Sequence, residues 1–399
     1  MTWCAGLALA GAVAGCGGGV AAGSWGRAIE VPGLGALNKG ADAIDVAGVS
    51  SLSCASTGNC AAGGYYRDPH HHDQGFVTSE KNGVWGRAIE VSGLGALNRG
   101  GAANVRSVSC GSPGNCAAGG SYQDQYRKYQ GFVIAERNGR WGRAIGVPGL
   151  GRIVSVSCPS AGNCAAVGSV SVVSMRNGRW GRAIAVPGLG ALNKGGDAQV
   201  VSLSCASAGN CAVGGDYTDG GQNGQGFVAA ERNGRWGRAI EVPGVAALNK
   251  GGNAHLGSVS CASAGNCAAA GTYGQPYGLG FVAVEKNGVW GKATSVPGLA
   301  ALTGRLAEAT SVSCASPGNC AAVGDYSNDS GGRTHGFVAV ERHGRWGKAI
   351  EVPGLGALNE GGGAFVSEVS CAPAGTCSAG GSYTDRHHHF QGFVVSQTG

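Results

Sequence analysis

Residues 198–245 read AQVVSLSCASAGNCAVGGDYTDGGQNGQGFVAAERNGRWGRAIEVPGV, and this stretch decides the fold. Two short apolar runs flank a pair of cysteines, and after a polar loop two further runs flank Asn233-Gly234. Asn-Gly between two alternating runs is a strong sequence signal for a tight β-hairpin. The stretch therefore predicts four short antiparallel strands.

The same pattern recurs along the whole chain of 399 residues. Each copy contains W-G-[RK]-A, and successive tryptophans are separated by 60, 56, 39, 56, 54 and 56 residues. A period above about 50 residues without helical periodicity is typical of propeller blades. The sequence predicts one all-β domain over residues 23–399, a seven-bladed β-propeller with four antiparallel strands per blade. The tryptophans are Trp25, Trp85, Trp141, Trp180, Trp236, Trp290 and Trp346.

Fourteen of the 16 cysteines form seven pairs with members six positions apart. A Gly-Asn or similar turn between the two members brings them within disulfide range across a hairpin. Zinc, the other use of paired cysteines, needs four ligands, and no histidine recurs beside the pairs. We therefore expect one disulfide per blade and an oxidising compartment. The pairs are Cys54 with Cys60, Cys110 with Cys116, Cys158 with Cys164, Cys205 with Cys211, Cys261 with Cys267, Cys314 with Cys320, and Cys371 with Cys377.

The two ends of the repeat region are complementary. Trp25 precedes the first cysteine pair, whereas the last pair is followed by residues 392–399 and no tryptophan. The last blade thus lacks its fourth strand, and residues 24–32 (SWGRAIEVP) have the sequence to supply it. This N-terminal strand is predicted to close the ring, which removes an exposed sheet edge.

The composition limits the choice of partners. The chain has 79 glycines without a collagen period, and its hydrophobic content of 43% is too high for a disordered chain. The 29 Lys and Arg against 23 Asp and Glu give a net charge of only +6, and like charges form no long run. Nucleic acid is not an expected partner, because phosphate binding requires concentrated positive charge.

Residues 1–22 are apolar and rich in small residues, like a secretory leader. Val13–Cys16 also resembles a lipobox, which would make Cys16 a lipid anchor, although no Lys or Arg precedes the apolar stretch. Plain secretion is favoured, and three alternatives stay open: lipid attachment, a wrongly assigned start codon, or a simple disulfide between Cys4 and Cys16. No other stretch is long and apolar enough for a transmembrane helix. The expected product is a secreted, extracellular monomer.

The units run close to S-V-S-C-A-S-A-G-N-C-A-A-G-G-Y-Y and then W-G-x-A-x-E-V-P-G over residues 24–399. In this they resemble the secreted Cys/Trp-repeat proteins of actinobacteria. A weaker similarity is to kelch repeats, through the glycine doublet after strand two, as in Gly63-Gly64, and the strand-four tryptophan. The tyrosine that kelch repeats place before that tryptophan is missing. These resemblances imply secretion and a propeller, and they bring no catalytic residues.

Several side chains recur at fixed repeat positions. The tryptophans, and the phenylalanines that open strand three, are expected to pack in the core. A recurring glutamate lies opposite the tryptophan and diagonal to a cation, so it predicts a stabilising ion pair within the blade rather than a catalytic acid. These pairs are Glu80 with Arg87, Glu136 with Arg143, Glu231 with Arg238, Glu285 with Lys292, and Glu341 with Lys348.

The loop between strands two and three varies from unit to unit and shares one rim of the propeller with the connections between blades. Variable polar and aromatic loops on a fixed scaffold are typical of a binding surface, and Tyr with Asp suits carbohydrate. Ordinary solvated loops are the alternative. The candidate ligand-binding residues are Tyr66, Asp68, Tyr122, Asp124, Tyr126, Tyr217, Asp219, Tyr383 and Asp385.

Histidine triplets occupy the equivalent loops of the first and seventh units, which become neighbours when the ring closes. Clustered imidazoles can hold zinc, copper or nickel, or respond to pH. Solvated histidines are the alternative, and no cofactor is expected. The candidate metal ligands are His70, His71, His72, His387, His388 and His389.

The sequence contains no nucleophile elbow, Walker loop or zinc-protease motif. The repeat register also offers no singular pair of acids facing the central channel, so catalysis is not expected. We rank a secreted module that binds cell-surface or polymeric carbohydrate first. An extracellular protein-interaction scaffold, with a cell-surface protein as partner, is second, and a polysaccharide hydrolase or lyase is third.

Overall fold

The computed structural model describes residues 24–40, 47–147, 151–160, 163–176, 179–250, 252–274, 278–303, 306–327, 332–372 and 375–398. The predicted leader, residues 1–22, lies outside these ranges, as do the Cys16 anchor and the Cys4–Cys16 pairing. Within these ranges no helix is long and apolar enough to cross a membrane.

The chain forms seven antiparallel sheets, which we number as blades 1 to 7 in the order of the cysteine pairs. In each blade four strands follow one another from the inner to the outer edge, and the fourth is split into two short pieces that both pair with the third. The predicted seven-bladed propeller is therefore confirmed.

The strand bounds differ little from blade to blade. The first strands are Gly48–Ser56, Ala103–Ser112, Ser155–Ser160, Ala198–Ser207, Ala254–Ser263, Leu306–Ser316 and Ala364–Cys371. The second strands are Asn59–Arg67, Asn115–Gln123, Asn163–Gly168, Asn210–Thr218, Asn266–Tyr273, Asn319–Ser327 and Cys377–Thr384. The third strands are Asp73–Lys81, Tyr129–Arg137, Ser171–Arg176, Gly224–Arg232, Leu279–Lys286, Thr334–Arg342 and Phe390–Thr398.

The split outer strands and the short helices complete the blades. The fourth-strand pieces of blades 1 to 6 are Val84–Trp85 and Ile89–Glu90, Arg140–Trp141 and Ile145–Val147, Arg179–Trp180 and Ile184–Ala185, Arg235–Trp236 and Ile240–Glu241, Val289–Trp290 and Thr294–Ser295, and Arg345–Trp346 and Ile350–Glu351. Single helical turns in connections between blades are Leu34–Leu37, Leu94–Leu97, Leu189–Leu192, Val245–Leu248, Leu299–Leu302 and Leu355–Leu358.

The first strand of each blade contacts the first strands of both neighbouring blades, including blade 7 with blade 1. These strands therefore form the wall of a central channel. The hairpins between strands one and two and between strands three and four lie on one edge, where Gly83 N donates to Gly58 O at 2.9 Å. We call this edge the hairpin rim. The opposite edge, with the variable loops and the connections between blades, is the loop rim.

The ring closes as the sequence predicts. Ser24–Trp25 and Ile29–Glu30 form the outer strand of blade 7, with Ser24 opposite Thr398 and Ile29 opposite Val394. Closure by the N-terminal strand is therefore confirmed.

Each blade also contains one disulfide, between its first and second strands, and every predicted cysteine pairing is confirmed. In each pair the two Cα atoms are 3.9–4.1 Å apart. The disulfides join Cys54 to Cys60, Cys110 to Cys116, Cys158 to Cys164, Cys205 to Cys211, Cys261 to Cys267, Cys314 to Cys320, and Cys371 to Cys377.

A second closure, which the sequence analysis did not anticipate, runs around the channel wall. The serine before the first cysteine of each blade accepts a hydrogen bond from the backbone N–H of the first cysteine in the next blade. Cys54 N closes this belt by donating to Ser370 Oγ at 2.7 Å. The other serine–cysteine pairs are Ser53–Cys110, Ser109–Cys158, Ser157–Cys205, Ser204–Cys261, Ser260–Cys314 and Ser313–Cys371.

Replacing Ser370→Ala is expected to lower the free energy of unfolding by about 1–3 kcal/mol, because the partly buried Cys54 N–H loses its acceptor. Thermal and urea denaturation measure the change. The control is Ser92→Ala, at an exposed position. Equal stability of the two variants would show that the belt does not contribute to ring closure.

Aromatic side chains fill the core as expected. The six phenylalanines that open strand three are fully buried. Trp85 is 8% exposed, and four other tryptophans are partly buried against clusters that contain residues of neighbouring blades. The side chains of Trp25 and Trp180 lie outside the described part of the chain. The phenylalanines are Phe76, Phe132, Phe227, Phe281, Phe337 and Phe393.

Candidate functional site

The candidate tyrosines do not all lie in loops. Tyr66, Tyr217 and Tyr383 belong to second strands and are only 3%, 4% and 5% exposed. Tyr217 Oη donates to Glu241 Oε2 at 3.0 Å, and burial, followed by the charge of that carboxylate, raises the pKa of Tyr217. These three tyrosines do not lie on the rim surface, because each packs in a core cluster shared with the preceding blade.

The other two candidate tyrosines are more accessible. Tyr122 is half-buried in a second strand, whereas Tyr126 lies in the loop of blade 2 and is 73% exposed. A sequence signal for this difference exists: Tyr66 and Tyr217 occur in blades with a glutamate in the outer strand, Glu90 and Glu241, whereas the blade of Tyr122 has Gly146 at that position.

The candidate aspartates organise their own loops. Asp68 Oδ1 accepts hydrogen bonds from His70 N at 2.8 Å and His72 N at 3.0 Å, and Oδ2 accepts one from Gln74 Nε2 at 3.1 Å. Burial alone would raise the pKa of Asp68, but these hydrogen bonds outweigh burial and lower it. The same Asp-x5-Gln arrangement holds Asp124 with Gln130, Asp219 with Gln225 and Asp385 with Gln391.

The histidine triplets do not build a common ligand cluster. The rings of His70 and His72 are 6.3 Å apart, as are those of His387 and His389. In the described ranges, no three His, Cys, Asp or Glu side chains lie close enough to hold a metal ion. Metal binding by these histidines stays a prediction.

The disulfide cysteines belong to the scaffold rather than to a ligand-binding surface. Cys60, Cys116 and Cys211 are only 4%, 7% and 5% exposed, and Cys164 is partly buried. Their sulfur atoms are held in disulfide bonds, so they offer no thiolate to a metal or a substrate. The same holds for Cys267, Cys320 and Cys377, which are 4%, 3% and 5% exposed.

The recurring glutamates have other partners than predicted. Each does lie opposite its tryptophan, as the hairpin register requires. However, Glu136 Oε1 accepts from Ser79 Oγ of blade 1 at 2.7 Å, and Glu285 Oε1 lies 2.9 Å from Arg232 Nη2 of blade 4. The predicted pairing within a blade is wrong, because this face of the sheet packs against the preceding blade.

These glutamates are also buried. Glu80, Glu136, Glu231, Glu285 and Glu341 are 1–5% exposed, and burial raises the pKa of each. In every one, Oε2 has no hydrogen-bond partner among the described residues. A buried oxygen without a donor is costly, so these carboxyl groups are unusual features of the fold.

One ring of positions around the loop-rim end of the channel differs in every blade. It lies six residues before the first cysteine, near the start of the first strand. Ser and Cys recur five and six positions after it, whereas this position holds seven different residue types. We call these residues the channel-mouth ring: Gly48, Asn104, Arg152, Gln199, His255, Glu308 and Phe365.

The acidic side of the mouth lies on blades 4 to 6. His255 Nδ1 is 3.7 Å from Asp216 Oδ2, and Asp216 Oδ1 accepts from Leu256 N at 2.6 Å. The hydrogen bond to Asp216 raises the pKa of His255. Exposed Glu308 is the cross-strand partner of Asp325, which is only 8% exposed.

Burial, followed by the charge of Glu308, raises the pKa of Asp325 to about 7. Glu308 and Asp325 are thus a pair of acids near the channel mouth, which the sequence analysis did not find. The two residues are 17 positions apart in the sequence, and only the strand register joins them.

The basic side of the mouth lies on blades 2 and 3. Arg152 Cζ is 3.4 Å from the centre of the Tyr129 ring, a cation–π contact. Burial, followed by the charge of Arg152, lowers the pKa of Arg106. The mouth therefore presents cationic and anionic groups on different blades.

No protein-family model matches the chain, and no curated protein matches it. Solved structures of similar fold include the WD40 β-propeller domain of Doa1, with a TM-score of 0.55 and 11% identity, covering 94% of this chain and 98% of that one. The polysaccharide lyase ulvan lyase has a TM-score of 0.54 and 12% identity, covering 89% and 94%.

A xyloglucanase from Xanthomonas campestris has a TM-score of 0.51 and 12% identity, and the match covers 90% of this chain and 53% of the enzyme. At these identities the similarity shows the propeller fold alone. Both enzymes and a WD40 domain use this fold, so the function must be argued from the site.

Proposed function

We propose that the protein is an extracellular, non-catalytic module that binds cell-surface or polymeric carbohydrate at the channel mouth. The observation that carries this proposal is the channel-mouth ring, with seven different residue types at one position of a repeat whose Ser-Cys dipeptide is constant. Folding of a repeated scaffold does not require a different residue at this position in every blade. Recognition of a ligand that contacts each blade differently does require it.

The chemistry of the mouth suits a polyhydroxylated ligand. Asn104 and Gln199 offer amide donors and acceptors, Arg152 offers donors, and exposed Glu308 offers acceptors. Tyr126, which is 73% exposed on the same rim, adds an aromatic surface for the apolar face of a sugar ring. A few placed polar groups beside aromatic surface are typical of a small-molecule site.

Extracellular location is part of the same proposal. The seven disulfides persist only in an oxidising compartment. The resemblance of the repeat to secreted actinobacterial Cys/Trp-repeat proteins supports the same location.

A second candidate function, a polysaccharide hydrolase or lyase, is favoured by Glu308 and Asp325. The pKa of Asp325 is about 7, so this carboxyl holds a proton near neutral pH. An exposed neighbouring carboxylate beside a protonated acid is the arrangement that general acid–base catalysis uses.

Screening on an array of cell-wall oligosaccharides tests the proposal. The variant Gln199→Ala with Glu308→Ala is expected to bind at least about tenfold more weakly, because it loses two contacts of the mouth. Its melting temperature is expected not to fall, since both side chains are exposed and the loss of Glu308 removes a charge that disfavours ionised Asp325. The control changes exposed hairpin-rim residues, Thr57→Ala with Val84→Ala, and is expected to bind like the unmodified protein.

Three results would redirect the assignment. New reducing ends in a polysaccharide incubated with the protein indicate a hydrolase, and new unsaturated ends indicate a lyase. Capture of a cell-surface protein without any glycan dependence indicates a protein-interaction scaffold.

A further inference from the structure

A second set of concave surfaces lies outside the channel, in grooves between successive blades. One wall of each groove consists of the third and fourth strands of one blade. The other wall contains the recurring glutamate and tryptophan of the next blade. The groove between blades 1 and 2 has a volume of about 430 Å³, and so has the groove between blades 3 and 4. Small-molecule sites occupy roughly 300–1,000 Å³.

The two grooves have the same lining. The groove between blades 1 and 2 combines Ile89 and Arg87 of blade 1 with Glu136 and Trp141 of blade 2. The corresponding residues between blades 3 and 4 are Ile184, Arg182, Glu231 and Trp236. A third groove, between blades 5 and 6, repeats the pattern with Thr294, Lys292, Glu341 and Trp346.

The apolar part of this lining is exposed to solvent. Ile89 and Ile184 are 46% and 45% exposed on the outer strand of their blades. Trp141 is partly buried, and its Nε1 donates to Ser79 Oγ at 3.1 Å, which fixes the indole ring. The groove between blades 1 and 2 thus holds an apolar surface whose aromatic part is already oriented, and orientation before binding lowers the entropic cost of binding.

The polar part of the lining is a buried acceptor without a donor. Glu136 and Glu231 are 2% and 3% exposed, and Oε2 of each has no hydrogen-bond partner in the described part of the chain. A group that donates a hydrogen bond to this oxygen removes an energetic penalty. An arginine on the facing wall, Arg87 or Arg182, supplies donors for an acceptor on the same ligand.

The scaffold itself does not require this carboxyl group. Blade 3 has Met175 opposite its tryptophan, and blade 7 has Gln397 there. Gln397 Oε1 accepts a hydrogen bond from Cys377 N at 3.0 Å, so its carbonyl is satisfied within its own blade. Two blades therefore form without the glutamate, and its unpaired oxygen in the other blades needs a reason outside blade packing.

We propose that the grooves carrying Glu136 and Glu231, the two that also carry an exposed isoleucine, are pyranose-binding subsites. A sugar hydroxyl donates to the free Oε2, the apolar C–H face lies against the tryptophan and the exposed isoleucine, and the arginine donates to sugar oxygens. This inference rests on the proposed carbohydrate-binding function and adds sites that are separate from the channel mouth. Two equivalent subsites on one rigid ring gain affinity for a polymer by avidity.

Affinity electrophoresis in gels that contain laminarin, xylan or glycol chitin tests the subsites. The groove variant combines Ile89→Asp with Ile184→Asp and is expected to lose at least about tenfold in affinity for the polysaccharide that retards the unmodified protein. If the aspartates lower the melting temperature, Ile89→Thr with Ile184→Thr replaces them, because threonine already occupies this position as Thr294 in blade 5.

The matched control combines Ile350→Asp with Val84→Asp. Ile350 is 50% exposed in the groove of Gln397, which has no free carboxylate, and Val84 is 71% exposed on the hairpin rim. Retardation of this control is expected to equal that of the unmodified protein. Equal retardation of the groove variant would overturn the subsites, and would leave the proposed function intact if the channel-mouth variant loses binding. If no polysaccharide retards the unmodified protein, the proposed function itself is overturned.

Discussion

Deleting residues 24–32 is expected to open the ring and to lower the free energy of unfolding by roughly 5 kcal/mol or more. The deletion removes Val31, which is fully buried, and Ala28, which is 7% exposed. It also removes the pairing of Ser24–Trp25 and Ile29–Glu30 with the last strand. The exposed edge of Phe390–Thr398 then becomes a template for association between molecules. Circular dichroism melting and size-exclusion chromatography measure both effects.

The control deletes residues 1–22 and is expected to leave the melting temperature unchanged. A circular permutant provides the complementary test, because Thr398 lies opposite Ser24 just as Lys81 lies opposite Val84 across the Asn82-Gly83 hairpin. Joining Thr398 to Ser24 through Asn-Gly, and opening the chain between Asn82 and Gly83, is expected to give a stable ring. Equal melting temperatures for the two deletions would contradict closure by the N-terminal strand.

The local and repeated features of the fold could be predicted from the sequence. Cysteine pairs such as Cys54 with Cys60, and Asn-Gly turns, act over a few residues, so their outcome depends little on the rest of the chain. The missing fourth strand of the last blade was equally clear, because it is a difference in repeat order between the two ends. Each of these signals is contained in one unit.

Contacts between blades were harder to predict. Glu136 was assigned to Arg143 in its own hairpin, yet Ser79 of the preceding blade is its partner. The sequence specifies which residues share a face of a blade, but not which neighbouring blade covers that face. The serine–cysteine belt was missed for the same reason, although its S-C dipeptide recurs in every unit.

The candidate site was missed because loop composition is a misleading guide in this fold. Ligand binding was assigned to tyrosines and aspartates of the loops. However, Tyr217 is buried, and Asp219 accepts hydrogen bonds within its own loop. The channel-mouth ring lies near the start of the first strands, with Arg152 just before its strand, and stands out only when the units are aligned on their cysteines. Variation at one position of an otherwise similar repeat is the signal that finds it.

Replacing Asp325→Asn is expected to make the protein more stable at pH 8 and to remove a pH dependence of stability. Burial, followed by the charge of Glu308, raises the pKa of Asp325 from 3.8 to about 7. Between these values the folded state binds more protons than the unfolded state, so stability falls as pH rises from about 4 to about 7. Asparagine stays neutral, and the gain at pH 8 is at most about 4 kcal/mol.

Urea denaturation at pH 4, 6 and 8 measures the effect, with Asp219→Ala as a comparison of opposite sign. Hydrogen bonds, first among them that from Asn223 N, lower the pKa of Asp219, so its contribution is present above pH 4 and is lost as pH falls through the lowered pKa. Asp219→Ala is therefore expected to lose stability at pH 8 and to approach the unmodified protein in acid. If the Asp325→Asn protein is less stable than the unmodified one at pH 8, Asp325 is an ionised, paired carboxylate. The second candidate function requires a protonated Asp325 and would then lose its support.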